Sequence, residues 1–186
     1  MIGVVLAGGE SRRMGTDKAL AQVGGRSMIS WVADALARAC DRVLISGRPQ
    51  GWEGHPGLGD PSDARGPLAG LLAALELGEP VTLVAVDQPW VRFETLSKLI
   101  EAETTAVPIE NEIRQVTCAV YYPELAPLGV GAASLQALLE MTMPLEITEP
   151  VWKSWGEDGR SWFSVDRPED IELGLRQYGP PGSTYS

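Results

Sequence analysis

The sequence predicts an α/β fold of three layers, in which a mostly parallel, mixed β-sheet is covered by helices on both faces. Short apolar runs of strand length alternate along the chain with segments whose apolar residues recur at helical spacing. Strands that alternate with helices are typical of parallel sheets, because a crossover helix returns the chain to the edge where the next strand begins. The 186 residues fit one such domain, and no linker or internal repeat divides them.

The first half of the chain carries the most regular elements. Ile2–Ala7 is a continuous apolar run of buried-strand length, and Gly8–Arg26 lacks periodicity and is predicted as a long loop. Proline in a first helical turn is well tolerated, which favours a helix beginning at Pro67. The other predicted elements are a helix at Ser27–Cys40, a strand at Arg42–Ser46, a loop at Gly47–Gly66, the helix Pro67–Leu77, a strand at Val81–Val86 and a helix at Phe93–Glu103.

The second half is less regular but continues the same alternation. Residues 1–178 form the predicted single domain, and residues 179–186 are expected to be a flexible tail. The elements predicted here are strands at Thr105–Pro108 and Val116–Tyr122 around a turn at Asn111, a helix at Ser134–Met141, short strands at Leu145–Thr148 and Trp162–Val165, and a helix at Pro168–Tyr178.

Composition excludes several classes of protein. The formal net charge of −10 disfavours nucleic-acid binding, which needs a basic surface. No apolar run approaches the length that spans a bilayer, so no membrane partner is expected. The two cysteines, Cys40 and Cys118, both fall in apolar patterns and are predicted to be buried free thiols, which favours a cytoplasmic location.

The glycine-rich loop after the first strand is the strongest candidate for a binding site. Adjacent Gly8 and Gly9 allow close backbone approach to a ligand, and successive N–H groups in such a turn bind anions. Arg13 and Lys18 can add charge-assisted hydrogen bonds to phosphate oxygens. The loop is neither a Walker P-loop nor a dinucleotide fingerprint. The first 26 residues also carry a local excess of positive charge, although chance clustering on a solvated loop would look the same.

A carboxylate ends the third predicted strand of the sheet. Asp87 follows the apolar run Val84-Ala85-Val86, where the carboxyl ends of parallel strands place ligand-binding residues. Magnesium prefers one or two carboxylates together with phosphate oxygens, so Asp87 is predicted as a metal ligand. The alternative is a turn in which the Asp87 side chain caps the loop that precedes Phe93.

The motif of the first loop resembles the signature of the molybdenum cofactor guanylyltransferases, within the wider nucleotidyltransferase superfamily. This chain carries Leu6-Ala7-Gly8-Gly9-Glu10-Ser11-Arg12-Arg13-Met14-Gly15-Thr16-Asp17-Lys18. The similarity also includes Gly66-Pro67-Leu68-Ala69-Gly70, Asp87-Gln88-Pro89 and the closing segment Ser164-Val165-Asp166-Arg167-Pro168-Glu169-Asp170. It implies a Rossmann-like nucleotidyltransferase fold in which small residues at Ala69 and Gly70 let a helix pack close to the first loop.

The resemblance also implies the site residues. Arg13, Lys18 and Asp87 would be catalytic, with Asp87 holding Mg²⁺. Asp60 would lie near the nucleotide, although it could merely shape a turn. Asp166 could be a second metal contact or could cap the following helix, and the sequence does not separate the two. The implied nucleotide-binding residues are Leu6, Ala7, Gly8, Gly9, Lys18, Asp60 and Asp87.

The activity implied by the family is Mg²⁺-dependent transfer of GMP from GTP to molybdopterin, or its molybdenum-loaded form, with release of pyrophosphate. The partners would be these two substrates and maturation proteins of molybdoenzymes. Arg48 and Val116 depart from the family pattern, which commonly has asparagine and proline there. The alternatives are therefore a cytidylyltransferase for molybdopterin or another phosphate acceptor, and a nucleotide-binding delivery protein without turnover.

Three tryptophans, Trp152, Trp155 and Trp162, flank a Gly/Asp turn near the C-terminus. They could stack on a pterin, but burial in the core is the commoner fate of tryptophan. His55, the single histidine, has no partner at the spacing of a catalytic triad and is predicted to lie at the surface.

Overall fold

The structure is a computed structural model that describes residues 1–8, 17–59 and 66–183. The strands are β1 (Ile2–Leu6), β2 (Gln22–Val23), β3 (Arg26–Ser27), β4 (Arg42–Ser46), β5 (Gly57–Leu58), β6 (Val81–Ala85), β7 (Ala106–Glu110), β8 (Ile113–Arg114), β9 (Cys118–Tyr121) and β10 (Leu145–Ile147). The α-helices are α1 (Met28–Ala39), α2 (Pro67–Leu75), α3 (Phe93–Ile100), α4 (Ala126–Gly129), α5 (Leu135–Glu140), α6 (Glu149–Ser154) and α7 (Pro168–Tyr178), and the 3-10 helices are Lys18–Leu20, Pro123–Leu125 and Arg160–Trp162.

Within the described residues, eight strands form one mixed sheet. Its order is β10-β7-β9-β6-β1-β4-β5, with β8 paired to β7 off this path. The pairings of β1 with β4 and β6, of β4 with β5 and of β7 with β10 are parallel. Those of β9 with β6 and β7, and of β8 with β7, are antiparallel. The predicted mostly parallel, mixed sheet is confirmed.

The central strand β1 is buried on both faces, which explains its uninterrupted apolar sequence. Val5 faces a hydrophobic cluster that contains residues of α1 and α3. Val4 and Leu6 point the other way, into a cluster built with α2 and α5. Because alternate side chains of a strand face opposite sides, this one strand anchors both helical layers. The three-layer arrangement follows.

The predicted loop at Gly8–Arg26 contains more structure than its sequence suggested. Its described part begins with the 3-10 helix Lys18–Leu20 and continues into a hairpin formed by β2 and β3. Gly24 and Gly25 form the turn, with φ of 58° and 87°. Two-residue hairpin turns favour such left-handed backbone, so this glycine pair was the available signal.

The strand predicted at Trp162–Val165 is wrong. Trp162 ends the 3-10 helix Arg160–Trp162, and the residues that follow join no strand. The apolar side chains are buried by packing instead: the Trp162 ring meets Trp152 edge-on, with centroids 5.1 Å apart. Both tryptophans are buried, and Trp155 packs against the same cluster. Of the two interpretations given above, stacking on a pterin and burial in the core, the structure shows burial for these tryptophans.

The thiols are free, as predicted. Cys118 is buried and Cys40 is half-buried, and burial raises the pKa of both. Among the helices in the described ranges, none is long and apolar enough to cross a membrane.

Candidate active site

The loops that leave β1 and β4 touch at the carboxyl edge of the sheet. The Ala7 N–H donates to the Ser46 carbonyl over 2.9 Å. Gly47 has φ of 81°, and a Cβ there would lie only 2.2 Å from the Gly8 Cα. Glycine is therefore required at position 47, since any side chain would push the two loops apart. This contact fixes the backbone where the glycine-rich loop begins.

Helix α2 packs against the same end of the sheet, on the face opposite to α1 and α3. A Cβ added to Gly70 would lie 2.3 Å from the Ser46 hydroxyl and 2.9 Å from the Leu6 side chain. The small residue predicted to permit close packing of this helix does so. The start of α2, at Pro67, is thereby held beside the ends of β1 and β4.

Lys18 opens the short 3-10 helix Lys18–Leu20 and is positioned by its neighbour. The Asp17 carboxylate accepts a 3.1 Å hydrogen bond from the Ala19 N–H and so caps this helix. Its other oxygen is bound by the Arg48 guanidinium, which also lies 5.7 Å from the Trp52 ring centroid. The helix that carries Lys18 is thus tied to the loop after β4.

The Lys18 ammonium joins two carboxylates from distant parts of the chain. Its Nζ lies 2.9 Å from Asp87 Oδ2 and 2.8 Å from Asp166 Oδ1. Partial burial disfavours the charged ammonium, but the hydrogen bonds to Asp166 and Asp87 outweigh this and raise the pKa of Lys18. We call these three residues the Lys18 cluster. Lys18 and Asp87 are mostly buried, with 17% and 24% of their side chains exposed, while Asp166 is 62% exposed.

Backbone contacts hold the two carboxylates together. The Val165 N–H donates to the Asp87 carbonyl over 2.8 Å, which brings the segment before α7 alongside the end of β6. Further along, Trp90 donates through its indole N–H to the Gly179 carbonyl, and a Cβ at Gly174 would overlap the Trp90 ring. Helix α7 is therefore fixed against the segment that follows Asp87.

Other side chains take the turn and cap roles considered for the two aspartates. The turn after β6 is closed by Gln88, whose side-chain oxygen accepts from the Ala85 N–H at 3.3 Å. At the start of α7, Asp170 accepts from the N–H groups of Asp166 and Arg167, each at 2.8 Å. Among the described residues, the carboxylates of Asp87 and Asp166 are therefore directed at Lys18 rather than at the backbone. The sequence motifs contain Gln88 and Asp170, but no role was predicted for either. Gln88 carried no signal for this contact, whereas the place of Asp170 three residues into α7 was a capping signal.

The donors in the Lys18 cluster suit a hard cation bound together with phosphate. Magnesium takes oxygen ligands and commonly uses one or two carboxylates, completing its shell with water and substrate phosphates. The described residues contain no group of three or more His, Cys, Asp or Glu that could hold a metal. Two carboxylates fit a metal that arrives with a nucleotide better than a permanent structural site.

The structure brings together some of the predicted site residues. Leu6, Ala7 and Gly8 lie at the end of β1, and Lys18 contacts Asp87 directly. Gly9, Arg13 and Asp60 lie outside the described residues, so their predicted roles stay predictions.

The fold is that of the open α/β proteins, which bind ligands at the carboxyl ends of their strands, and this is where the lysine and the two carboxylates lie. Residues 3–145 match the family described as the MobA-like NTP transferase domain, and the chain belongs to that family.

Individual relatives agree with this assignment. A molybdenum cofactor guanylyltransferase of Cereibacter sphaeroides is 40% identical over 181 residues, covering 92% of this chain and 93% of that protein. A bifunctional molybdenum cofactor biosynthesis protein of Synechocystis is 34% identical over 148 residues, and the match covers 73% of this chain and 43% of that longer protein. The crystal structure of molybdopterin-guanine dinucleotide biosynthesis protein A from Archaeoglobus fulgidus has the same fold, with a TM-score of 0.82 and 21% identity over 95% of this chain and 98% of that one.

Proposed function

We propose that this protein transfers GMP from GTP to molybdopterin, or its molybdenum-loaded form, in a Mg²⁺-dependent reaction that releases pyrophosphate. The observation that carries the proposal is the convergence of Lys18 on Asp87 and Asp166 at the ligand-binding edge of the sheet. Guanine and molybdopterin come from the names of relatives such as the Cereibacter sphaeroides enzyme. We place the reaction in the cytoplasm.

In this mechanism an oxygen of the terminal phosphate of molybdopterin attacks the α-phosphorus of GTP. The bond from that phosphorus to the bridging oxygen breaks, and pyrophosphate departs with the electron pair. The attacking phosphate is already anionic, so no strong general base is required. Catalysis therefore depends on alignment and on neutralising charge that builds on the leaving group.

The predicted residues would share the tasks of binding the nucleotide and neutralising its charge. The backbone of Leu6, Ala7, Gly8 and Gly9 would bind the nucleotide, and Lys18 would hold the triphosphate. Arg13 would offset the charge that builds on pyrophosphate, and Asp60 would lie near the nucleotide. Asp87 and Asp166 would hold Mg²⁺, which when bound supplies positive charge beside the α-phosphate.

The test is a transfer assay with the purified chain, GTP or CTP, Mg²⁺ and molybdopterin, followed by pyrophosphate release and analysis of the dinucleotide product. We expect the wild type to form the guanine dinucleotide and Lys18→Ala to lose most activity. Lys98→Ala is the matched control, because Lys98 pairs with Glu101 on the surface. A preference for CTP would assign cytidylyl transfer, and GTP binding without turnover would favour a delivery protein for molybdoenzyme maturation.

A further inference from the structure

Lys18 differs from the other two lysines of the chain, Lys98 and Lys153, in its ion-pair partners. Lys98 and Lys153 each pair with one glutamate, Glu101 and Glu149, within the exposed surface of their own helical segment. Such pairs contribute little to stability. Lys18 instead contacts two carboxylates that lie 69 and 148 residues further along the chain.

Lys18 contacts Asp87 and Asp166, which are the two side chains that would hold Mg²⁺ in the proposed function. Asp87 Oδ2 and Asp166 Oδ1 both lie within 2.9 Å of one ammonium nitrogen. Two carboxylates that converge in this way repel each other unless a cation lies between them. Lys18 supplies that cation from within the chain.

An ammonium and a divalent cation cannot both take this position. Magnesium binds carboxylate oxygens at about 2.0–2.1 Å, and its two positive charges repel an ammonium that approaches the same oxygens. The 3-10 helix that carries Lys18 is fixed by Asp17, but a lysine stem is long and flexible enough for its ammonium to exchange one anion for another. A triphosphate bound at the glycine-rich loop is such an anion.

We propose that Lys18 is an internal counter-ion that occupies the cation position between Asp87 and Asp166 until a nucleotide draws it away. Divalent-cation affinity is then low without nucleotide and rises when the triphosphate takes the lysine. Because such coupling is reciprocal, the bound cation also favours the arrangement in which Lys18 contacts phosphate. This inference rests on the proposed function, since it assumes that a triphosphate binds beside Lys18.

The experiment measures Mn²⁺ binding to the full chain by electron paramagnetic resonance, with no nucleotide present. Wild type should bind Mn²⁺ weakly. Lys18→Met keeps the stem but removes the charge, and should bind Mn²⁺ roughly 5- to 150-fold more tightly, the range that is typical of coupling between two sites. Lys18→Arg keeps a cation and should stay close to wild type, and Lys98→Met should not differ from it.

A second set of variants locates the effect. Adding Asp87→Asn to Lys18→Met should abolish the gain in Mn²⁺ affinity, because the gained site depends on that carboxylate. Lys18→Gln provides the same comparison if Lys18→Met is unstable, and a melting curve accompanies each protein.

The outcomes separate this inference from the proposed function. If both neutral variants bind Mn²⁺ no more tightly than wild type, Lys18 is not a counter-ion for the metal position, whether or not it is needed for transfer. If they gain Mn²⁺ affinity while the wild type fails to use GTP, the counter-ion stands and the proposed transfer reaction is wrong.

Discussion

Two clusters in this protein surround carboxylates with different partners, one with a charged lysine and the other with neutral hydrogen-bond donors. In the Lys18 cluster, two partly exposed aspartates face one lysine. In the second, which we call the Glu157 cluster, a carboxylate with 3% exposure is surrounded by neutral donors. Its Oε2 accepts from the hydroxyls of Thr95 and Ser161, each at 2.5 Å. Its Oε1 accepts from the N–H groups of Asp158, Gly159 and Ser161 at 3.0, 2.9 and 3.3 Å.

The two clusters differ in whether the partners of their carboxylates can be replaced by a ligand. The Glu157 carboxylate has both oxygens saturated by fixed hydroxyl and backbone donors, so it orders the turn between α6 and the 3-10 helix Arg160–Trp162. In the Lys18 cluster the two carboxylates are paired with an ammonium at the end of a flexible stem, and carboxylate oxygens can each accept more than one hydrogen bond. A saturated buried carboxylate indicates a structural role, whereas the two carboxylates that converge on a lysine at a strand end are the ones that we propose for ligand binding.

The largest effect is expected at Asp87. Asp87→Asn keeps the shape of the side chain but removes the charge that pairs with Lys18 and would hold the metal. Turnover should fall by about 10²–10³, comparable to the loss of another preorganised electrostatic contact, while GTP affinity falls less. The measurements are pyrophosphate release, GTP binding and a melting curve.

The matched change in the other cluster is Glu157→Gln, which should leave the turnover of folded protein close to wild type. Wild-type turnover in Asp87→Asn would show that the metal is held elsewhere. Equal losses of activity in both variants would remove the functional distinction between the two clusters.

The next effect is on stability, and it belongs to the Glu157 cluster. Glu157→Ala leaves two hydroxyls and several N–H groups without their acceptor in the interior. We expect the free energy of unfolding to fall by about 2–3 kcal/mol, since a buried donor without a partner is costly. Urea denaturation measures it, with Glu101→Ala, a surface glutamate paired with Lys98, as the exposed comparison. A loss below about 0.5 kcal/mol, the range of ordinary surface changes, would contradict a structural role.

A smaller effect should follow from loosening the support of Lys18. Arg48→Met removes the guanidinium that binds Asp17, the cap of the helix Lys18–Leu20. Turnover should fall by about tenfold, which corresponds to one charged hydrogen bond of roughly 1.5 kcal/mol. Arg42→Met is the control, because Arg42 pairs with Glu79 far from these loops. Unchanged turnover would mean that Asp17 positions Lys18 without help from Arg48.

The smallest expected difference concerns the nucleobase. GTP should raise the melting temperature more than CTP, because a ligand that binds the native state stabilises it by mass action. A difference of about 1 kcal/mol, one hydrogen bond, corresponds to roughly 2–4 °C in a chain of this size. The shift should vanish in Lys18→Ala and persist in Glu157→Gln, which places binding at the first cluster. A larger shift with CTP would reassign the donor.

Local sequence patterns predicted most of the helices and strands of the fold. The strand Arg42–Ser46 and the helix Pro168–Tyr178 have the predicted bounds, and the other main strands and helices differ mostly at their ends. The strand predicted at Trp162–Val165 failed because burial of tryptophan looks the same in a strand and in a packed turn. Glu157 was not recognised at all, since an isolated glutamate in a Gly/Asp-rich segment resembles any solvated residue.

The sequence by itself determined the fold class, because apolar periodicity is a local signal, and it predicted a binding site at the first loop from the glycine-rich turn there. The pairing of Asp87 and Asp166 through Lys18 was decided only by tertiary structure. Whether Asp166 faced its own helix or the site depended on where Asp170 and the Val165 backbone came to lie. Contacts across 148 residues are set by how the layers pack, and a linear pattern does not record them.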